Sequence, residues 1–222
     1  MSNVILSKET LILIKNFASI NGSIMLKEGN RLATISEGKN VMAEVTIAEQ
    51  LPKDFGIYDL NEFLGVVGLF DKTELDFKDK FVTISDGGKA RIKYFAAGEG
   101  IVKSAPASIK FPSEDISFDL EASQLAMIQR TSSVLKASDV SIVGDGSDLK
   151  VIVSDKKNDT SNAYEVSIGS TDREFKANLK VENLKMLPGE YTVTISAKKI
   201  SRFKSKTSDL TYFIAVEADS EF

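Results

Sequence analysis

The chain of 222 residues contains no cysteine, no histidine and no tryptophan, and only four prolines. Without cysteine there is no disulfide, no thiolate metal site and no thiol nucleophile. Without histidine the commonest general base and metal ligand at neutral pH is gone. Carboxylate and lysine chemistry remain, but catalytic readings lose weight. No apolar run approaches the ~18–20 residues a membrane helix needs. The start, MSNVILSKET, lacks a basic region followed by a long apolar core, so no signal peptide, no membrane contact and a cytoplasmic location are expected. The formal charge is −4, which argues against a simple basic nucleic-acid binder but leaves room for positive charge confined to one surface. What is present, 42% hydrophobic and 27% charged residues, is the profile of a soluble globular protein of one large or two ordinary domains.

The stretch Ser7 to Gly22 organises the rest. Leu11, Ile14 and Ala18, with Leu13, Phe17 and Ile20, recur at helical spacing. Ser7 is a good N-cap, and Asn21-Gly22 a good stop. Lys8 and Lys15 lie two turns apart on one face, opposite much of the apolar stripe. The pattern returns further on. Leu6, Leu11, Leu13 and Ile14 shifted by 114 positions land on Leu120, Leu125, Met127 and Ile128. A second helix, Asp59 to Phe70, opens on a capping box of Asp59 and Glu62. Its Leu60 and Phe63 shifted by 121 land on Val181 and Leu184. Two helices echoed in order suggest a duplicated unit, against the alternative that short amphipathic helices resemble one another by chance. Gly65 and Gly68 weaken the second helix by about 1 kcal/mol each relative to alanine. Either a second backbone approaches closely there or the helix is short and poorly formed.

Strand patterns fill the intervals. Val41 to Ile47 alternates, as do Thr73 to Phe77 and Phe81 to Ser85, and Asp86-Gly87-Gly88 is a hairpin turn into Lys89 to Phe95. Three basic residues of that last run share one side, as edge strands often do. Ala96 to Ser117 has no sustained period and holds two of the prolines, so it reads as an inter-domain connector packed along the surface. The expected organisation is 1–95, a connector over 96–117, and 118–222. In the second half a helix runs from Asp119 to about Lys136, with Gln129, Arg130 and Lys136 on its polar side. Strands Val140 to Val143 and Leu149 to Val153 flank Asp145-Gly146. A polar loop spans Lys156 to Asn162, and a strand Ala163 to Ile168 carries Glu165. A short helix, Leu179 to Leu187, is stopped by Pro188-Gly189. Strands follow at Tyr191 to Ala197 and Leu210 to Val216, with a frayed acidic tail after Glu217. Tight turns without regular βαβ alternation give an α+β class with antiparallel sheets.

Four stretches resemble a known family, the sliding clamps of T-even-like tailed phages, which are polymerase processivity factors. They are Lys15-Asn16-Phe17-Ala18-Ser19-Ile20-Asn21 with Ile24-Met25-Leu26-Lys27; Ile57 to Gly65; Lys185-Met186-Leu187-Pro188-Gly189-Glu190-Tyr191; and the ending Glu217-Ala218-Asp219-Ser220. The resemblance spans essentially the whole chain, and Tyr212-Phe213-Ile214-Ala215 also resembles the last strand of proliferating cell nuclear antigen. It implies two similar subdomains per chain, each with antiparallel sheets outside and two helices inside. Three chains would form a closed pseudo-sixfold ring around duplex DNA. It implies no catalysis, no cofactor and no metal. The implied partners are duplex DNA held without sequence preference, DNA polymerase, an ATP-dependent clamp loader, and late-transcription factors with RNA polymerase. Lys8, Lys15, Arg130, Lys136 and Lys185 become candidates for facing DNA. The acids Glu9, Asp59, Glu62, Asp71, Glu121 and Glu182 on or beside the same helices cut against a strongly basic lining, which then depends on the face each charge takes. Arg91 and Lys93 become candidates for ring closure against Glu165, or against Asp172 and Glu174, of the next subunit. Ile109, Phe111, Phe213 and Ala215 become candidates for an apolar pocket between subdomains that takes partner peptides.

Two other classes stay open on the residues themselves. One is a non-catalytic phage structural or adhesion protein of two β-rich domains, against which the charged and capped helices speak. The other is a carboxylate enzyme using Asp145, Asp148 and Asp155 as a Mg²⁺ or Ca²⁺ cluster. Their spacing fits no EF-hand loop, and a turn already accounts for Asp145-Gly146.

Overall fold

A computed structural model describes residues 3–98, 100–158 and 160–222. Met1 and Ser2, Glu99 of the expected connector and Asp159 of the polar loop lie outside the described residues. The chain divides into two compact units, 1–107 and 108–222. Among the described residues no helix is long and apolar enough to cross a membrane.

The first unit runs β1 (Asn3–Ile5), α1 (Lys8–Ile20), β2 (Ile24–Leu26), β3 (Gly29–Ile35), β4 (Val41–Leu51), β5 (Phe55–Ile57), α2 (Leu60–Val67), β6 (Glu74–Phe77), β7 (Phe81–Ser85) and β8 (Arg91–Phe95). All pairings are antiparallel. One sheet has the order β1-β6-β7-β8, while β3 pairs β4 and β2 pairs β5. The alternation of β4 buries Ala43, Val45, Ile47 and Leu51, and the helices press Ile14, Phe17, Leu60 and Phe63 onto the same core. The hairpin at Asp86-Gly87-Gly88 forms as its residues dictate. Gly87 takes φ +80, and the Gly88 N–H donates to Asp86 Oδ1 at 2.9 Å.

The second unit runs β9 (Ile116–Leu120), α3 (Ala122–Leu135), β10 (Asp139–Asp145), β11 (Asp148–Ser154), β12 (Tyr164–Ser170), β13 (Glu174–Lys180), a 3-10 turn (Val181–Asn183), β14 (Tyr191–Ser196), β15 (Ile200–Ser205) and β16 (Thr211–Ala215). One sheet has the order β12-β11-β10-β13, and β9, β14, β15 and β16 pair in turn. The order β9-β14-β15-β16 repeats β1-β6-β7-β8. The 114-residue shift is also literal: α1 moved by it covers 122–134, and α3 is Ala122–Leu135.

Four expectations are corrected. The first is the start of the second-half helix. Asp119 belongs to β9, opposite Thr192, and Glu121 is the N-cap of α3. Ile116 and Leu120 are both buried in that strand, so the irregular stretch ends before residue 116.

The second is the short helix over Leu179 to Leu187. Leu179 ends a strand paired with Val140, and only the 3-10 turn stands where the shifted copy of α2 would be. Pro188 disfavours helical geometry at Leu187 and its ring clashes with the carbonyl four residues back. Lys180 at the cap position has no acceptor to offer. Too few residues remain between them for a helix.

The third is the tail, which is pinned instead of frayed. The Glu217 N–H donates to Asn178 O, Lys176 and Glu221 exchange two backbone hydrogen bonds, and the Asn178 N–H donates to Ser220 Oγ.

The fourth is Gly65. A Cβ built there meets nothing within 4 Å, and at Gly68 it meets only backbone oxygens of the same helix, so among the described residues no second backbone approaches either glycine. Of the two readings the short helix, eight residues long, is the one that stands.

Candidate DNA-facing, ring-closing and partner surfaces

The first helix is held from two sides. Ser7 Oγ accepts from the Thr10 N–H at 3.1 Å, the ordinary N-cap bond. Glu49 on β4 then brings a carboxylate to the same end. It accepts from the Ser7 N–H at 2.5 Å and from the Thr10 hydroxyl at 2.7 Å. Burial pushes the Glu49 carboxyl up, but these hydrogen bonds outweigh burial and hold it below the usual range. An anion at a helix N-terminus is also favoured by the helix dipole. With Thr10, Ile14, Phe17 and Ile20 buried, α1 exposes Lys8, Ile12, Lys15 and Ser19 along one stripe.

The copy caps itself. Glu121 and Gln124 form a reciprocal capping box on α3, a box the residues Asp59 and Glu62 form only by half, through the Glu62 N–H on Asp59 Oδ1 at 2.9 Å. Leu125, Ile128 and Ser132 are buried, and Ser123, Met127, Arg130 and Val134 are exposed. The stripe recurs one residue out of step with the helices, and of its charges Arg130 answers Lys15 while Ser123 stands against Lys8. Lys136 is not on the helical face. It is the left-handed C-cap, φ +52, which closes α3 through the Ala137 N–H on Ser132 O at 3.0 Å. Lys185 is exposed but lies in the irregular segment after the 3-10 turn, and no helix carries it. In the first unit, α1 and α2 border a groove of about 690 Å³ lined by Leu11, Leu64, Gly65 and Phe70 together with Lys8 and Lys15.

Each unit presents a terminal strand. In β8, Arg91, Lys93 and Phe95 are exposed while Ile92 and Tyr94 are half-buried. Lys93 Nζ stands 5.2 Å over the Phe81 ring, and Phe81 meets Phe95 at 5.7 Å between centroids. In β12, Tyr164, Val166 and Ile168 are half-buried and Glu165 is exposed. Glu165 already faces a cation of its own chain, Lys150 at 3.5 Å, which Asp145 and Asp148 also approach, at 3.5 and 3.7 Å. These acids, Glu165 foremost, raise the Lys150 ammonium. Asp145 is the acceptor of its turn. The Asp148 and Ser147 N–H groups donate to it at 2.8 and 3.1 Å, and these bonds draw its carboxyl down to about 2. Asp155 lies apart, accepting from the Lys157 N–H at 3.1 Å. Asp172 and Glu174 are exposed at and before the start of β13.

Of the four expected partner-site residues, two meet directly. The Phe111 and Phe213 rings are 6.5 Å apart, tilted by 39°. Phe213 is buried in β16, and Ile109 and Ala215 are half-buried. Two residues that sequence reading missed complete the cluster. The Arg202 guanidinium lies 4.7 Å from the Phe111 ring centroid and is paired with Glu114 at 2.5 Å. The alternation of Ser201 and Phe203 inward in β15 was the available signal that Arg202 faces the other way.

With that geometry in place, comparison with known proteins is direct. The DNA polymerase processivity factor family matches residues 7–97, and the gp45 sliding clamp C-terminal family matches 117–218. The chain is 33% identical over 220 residues to the sliding clamp of Vibrio phage KVP40, covering 96% of this chain and 99% of that protein. It is 33% identical over 226 residues to the sliding clamp of Enterobacteria phage T4, covering 97% of each. Among solved structures it is similar to A. fulgidus PCNA bound to the C-terminal region of FEN-1, with a TM-score of 0.72 at 14% identity over the whole of both chains. Two units of one strand order, each with a capped helix exposing a mixed stripe, belong to a protein that is related over its full length to phage clamps: this chain is a member of the phage sliding-clamp family of DNA polymerase processivity factors.

Proposed function

We propose that this protein works as a non-catalytic homotrimeric ring that encircles duplex DNA and tethers the phage DNA polymerase to it, after loading by an ATP-dependent clamp loader in the host cytoplasm. The observation that carries this reading is the duplication itself. One helix-bearing unit is repeated, each helix exposes a stripe of similar spacing, and three such pairs make six comparable helix faces for a pseudo-sixfold hole. Lys8, Lys15 and Arg130 stand on those stripes, with Lys136 and Lys185 beside α3 and after the 3-10 turn. Interleaved Ile12, Met127 and Val134 keep the charge sparse. Sparse phosphate contacts carry no sequence information and allow sliding. The same reading takes 1–95 as one subdomain and the expected connector over 96–117 as ending where β9 begins, at Ile116, with the second subdomain running from β9 to 222.

Ring closure joins β8 of one subunit to β12 of the next, because both are terminal strands with half-buried apolar residues that pairing would cover. Arg91 and Lys93 then approach Glu165, in competition with Lys150. The Phe111–Phe213 surface, with Ile109 and Ala215, takes partner peptides from the polymerase and the loader, and late-transcription factors with RNA polymerase are partners of the same kind.

Extension on a primed single-stranded circle tests the whole reading. Polymerase products are expected to lengthen when this protein, the cognate loader and ATP are all present, and products that stay short overturn it. Replacing Lys15 and Arg130 by glutamate is expected to weaken loading while sedimentation still reports a trimer.

A further inference from the structure

Arg202 stands at the centre of the Phe111–Phe213 surface with part of one edge unused. Its terminal Nη2 donates to Glu114 Oε1 at 2.5 Å and to Thr194 Oγ1 at 3.2 Å. Its Nε, shielded from solvent, has no hydrogen-bond partner. The Nε–H and Nη2–H groups of a guanidinium form a parallel fork that one carboxylate can engage with both oxygens. Glu114 and Thr194 share Nη2, and Nε keeps no acceptor. A shielded donor without an acceptor is unfavourable, and an acceptor that reaches both prongs relieves it.

Glu114 is kept nearby by its neighbours as much as by Arg202. Ser113 Oγ donates to Asp115 Oδ2 at 2.6 Å and lies 2.7 Å from Ser196 Oγ. The Asp115 N–H donates to Ile195 O at 3.1 Å, and the Ala197 N–H donates to Asp115 Oδ2 at 2.8 Å. The segment is thus tied to the end of β14 on both sides of Glu114, whose own side chain is 61% exposed. An exposed ion pair of this kind is weak and exchanges readily.

We propose that the edge of Arg202 is a carboxylate-receiving subsite of the partner surface, and that Glu114 is its resident occupant in the unbound protein. This rests on the partner-peptide reading above and adds the chemistry the peptide must carry. Its apolar side chain lies on Phe111 and Phe213. A carboxylate next to it, from an aspartate or glutamate or from its own C-terminus, displaces Glu114 and accepts from both Nε–H and Nη2–H. Segments without an acid leave Glu114 in place and bind less tightly.

The test uses the full-length protein and a ten-residue peptide from the C-terminus of the phage's own DNA polymerase. The peptide is made in four forms: unaltered, with Asp and Glu changed to Asn and Gln, with its C-terminus amidated, and with both changes together. Affinity is read by fluorescence anisotropy. Glu114→Gln removes the resident competitor and is expected to tighten binding of the unaltered peptide about two- to five-fold. Arg202→Lys keeps the charge but loses the fork, and is expected to weaken it about tenfold. In the Arg202→Lys background, Glu114→Gln is expected to change nothing further. The peptide form that loses its dependence on Arg202 identifies which carboxylate is used. The subsite is overturned if Glu114→Gln binds like the unaltered protein, or if an amidated, acid-free peptide binds as tightly as the acidic one, while Phe213→Ala still weakens binding. If Phe213→Ala binds at full strength, or the unaltered protein binds none of the peptides, the partner surface itself falls. Glu114→Gln alters an exposed carboxylate, so its result is read on a folded protein.

Discussion

The two units solve one local problem in different ways. In the first, residues 60–67 form a helix that satisfies its own backbone, capped by Asp59. In the second, the residues at the shifted position cannot form a helix, and side chains from elsewhere take over. Gln129 Nε2 donates to Leu184 O at 3.2 Å and to Met186 O at 3.3 Å. The Tyr191 hydroxyl donates to Leu187 O at 2.7 Å, and the Leu187 N–H donates to the Tyr212 hydroxyl at 3.1 Å. Burial drives both phenols up, Tyr212 to about 12, so both stay neutral at any working pH, Tyr191 as donor and Tyr212 as acceptor. The lesson is that the strand order survives the loss of a helix as long as each freed backbone group finds a partner. The first unit has a weaker parallel. Tyr94 of β8 donates to Asp59 O at 3.0 Å, at an exposed position.

The largest effect expected of this comparison comes from the tyrosines. Tyr212→Phe leaves the Leu187 N–H without its acceptor at a part-buried position beside the buried Tyr212 ring and is expected to cost about 1–2 kcal/mol. Tyr94→Phe, where water replaces the partner, is expected to cost about 0.5–1 kcal/mol. Urea midpoints of the two variants measure the difference, and equal losses would break the contrast between a self-satisfied helix and a segment held by side chains.

The helix caps give the next effect. Glu49→Gln removes a charged acceptor brought from β4 to α1 and is expected to cost about 1–2 kcal/mol at neutral pH. Glu121→Ala removes a local cap from α3 and is expected to cost about 1 kcal/mol. The pH dependence separates them further. The folded Glu49 carboxyl lies below its unfolded value, so its stabilisation is complete above about pH 4–5, the unfolded carboxylate range, and fades as the pH falls through the lowered folded value. The unaltered protein should therefore lose its advantage over Glu49→Gln on acidification, and stability curves of the two measured from pH 7 to pH 3 should converge.

The contrast also explains what was readable in the sequence. Helices α1 and α3, the repeat offset and the hairpins at Gly87 and Gly146 follow from spacing and turn chemistry, which are local. The expected helix at Leu179 to Leu187 was misread because Val181 and Leu184 keep helical spacing while Leu179 is paid for by a strand partner, Val140, remote in sequence. The tail looked frayed because Asp219 and Glu221 are acidic. Its anchors, Asn178 and Lys156 among them, lie more than forty residues upstream. On the partner surface Phe111 and Phe213 were legible as apolar residues at suitable places. Arg202 and Glu114 were not, since a charge in an alternating strand reads as ordinary solvent-facing surface until its neighbours are known.

Gly65 gives the smallest effect and sharpens the comparison most cleanly. Shifted by 121 positions, it corresponds to Met186, which is buried at 5% exposure. At the shifted position the second unit has a long buried side chain, whereas Gly65 is exposed beside the groove bordered by α1 and α2. A Cβ at Gly65 meets open space, and no positive φ requires a glycine there. Gly65→Ala is therefore expected to stabilise the protein by about 0.5–1 kcal/mol, since alanine loses less conformational freedom in a helix. Thermal unfolding measures the gain, and extension on the primed circle by the same variant is expected to match that of the unaltered protein. A stabilised variant with shortened products would mean that the open groove is used on DNA, and that the two helix pairs differ in function as well as in construction.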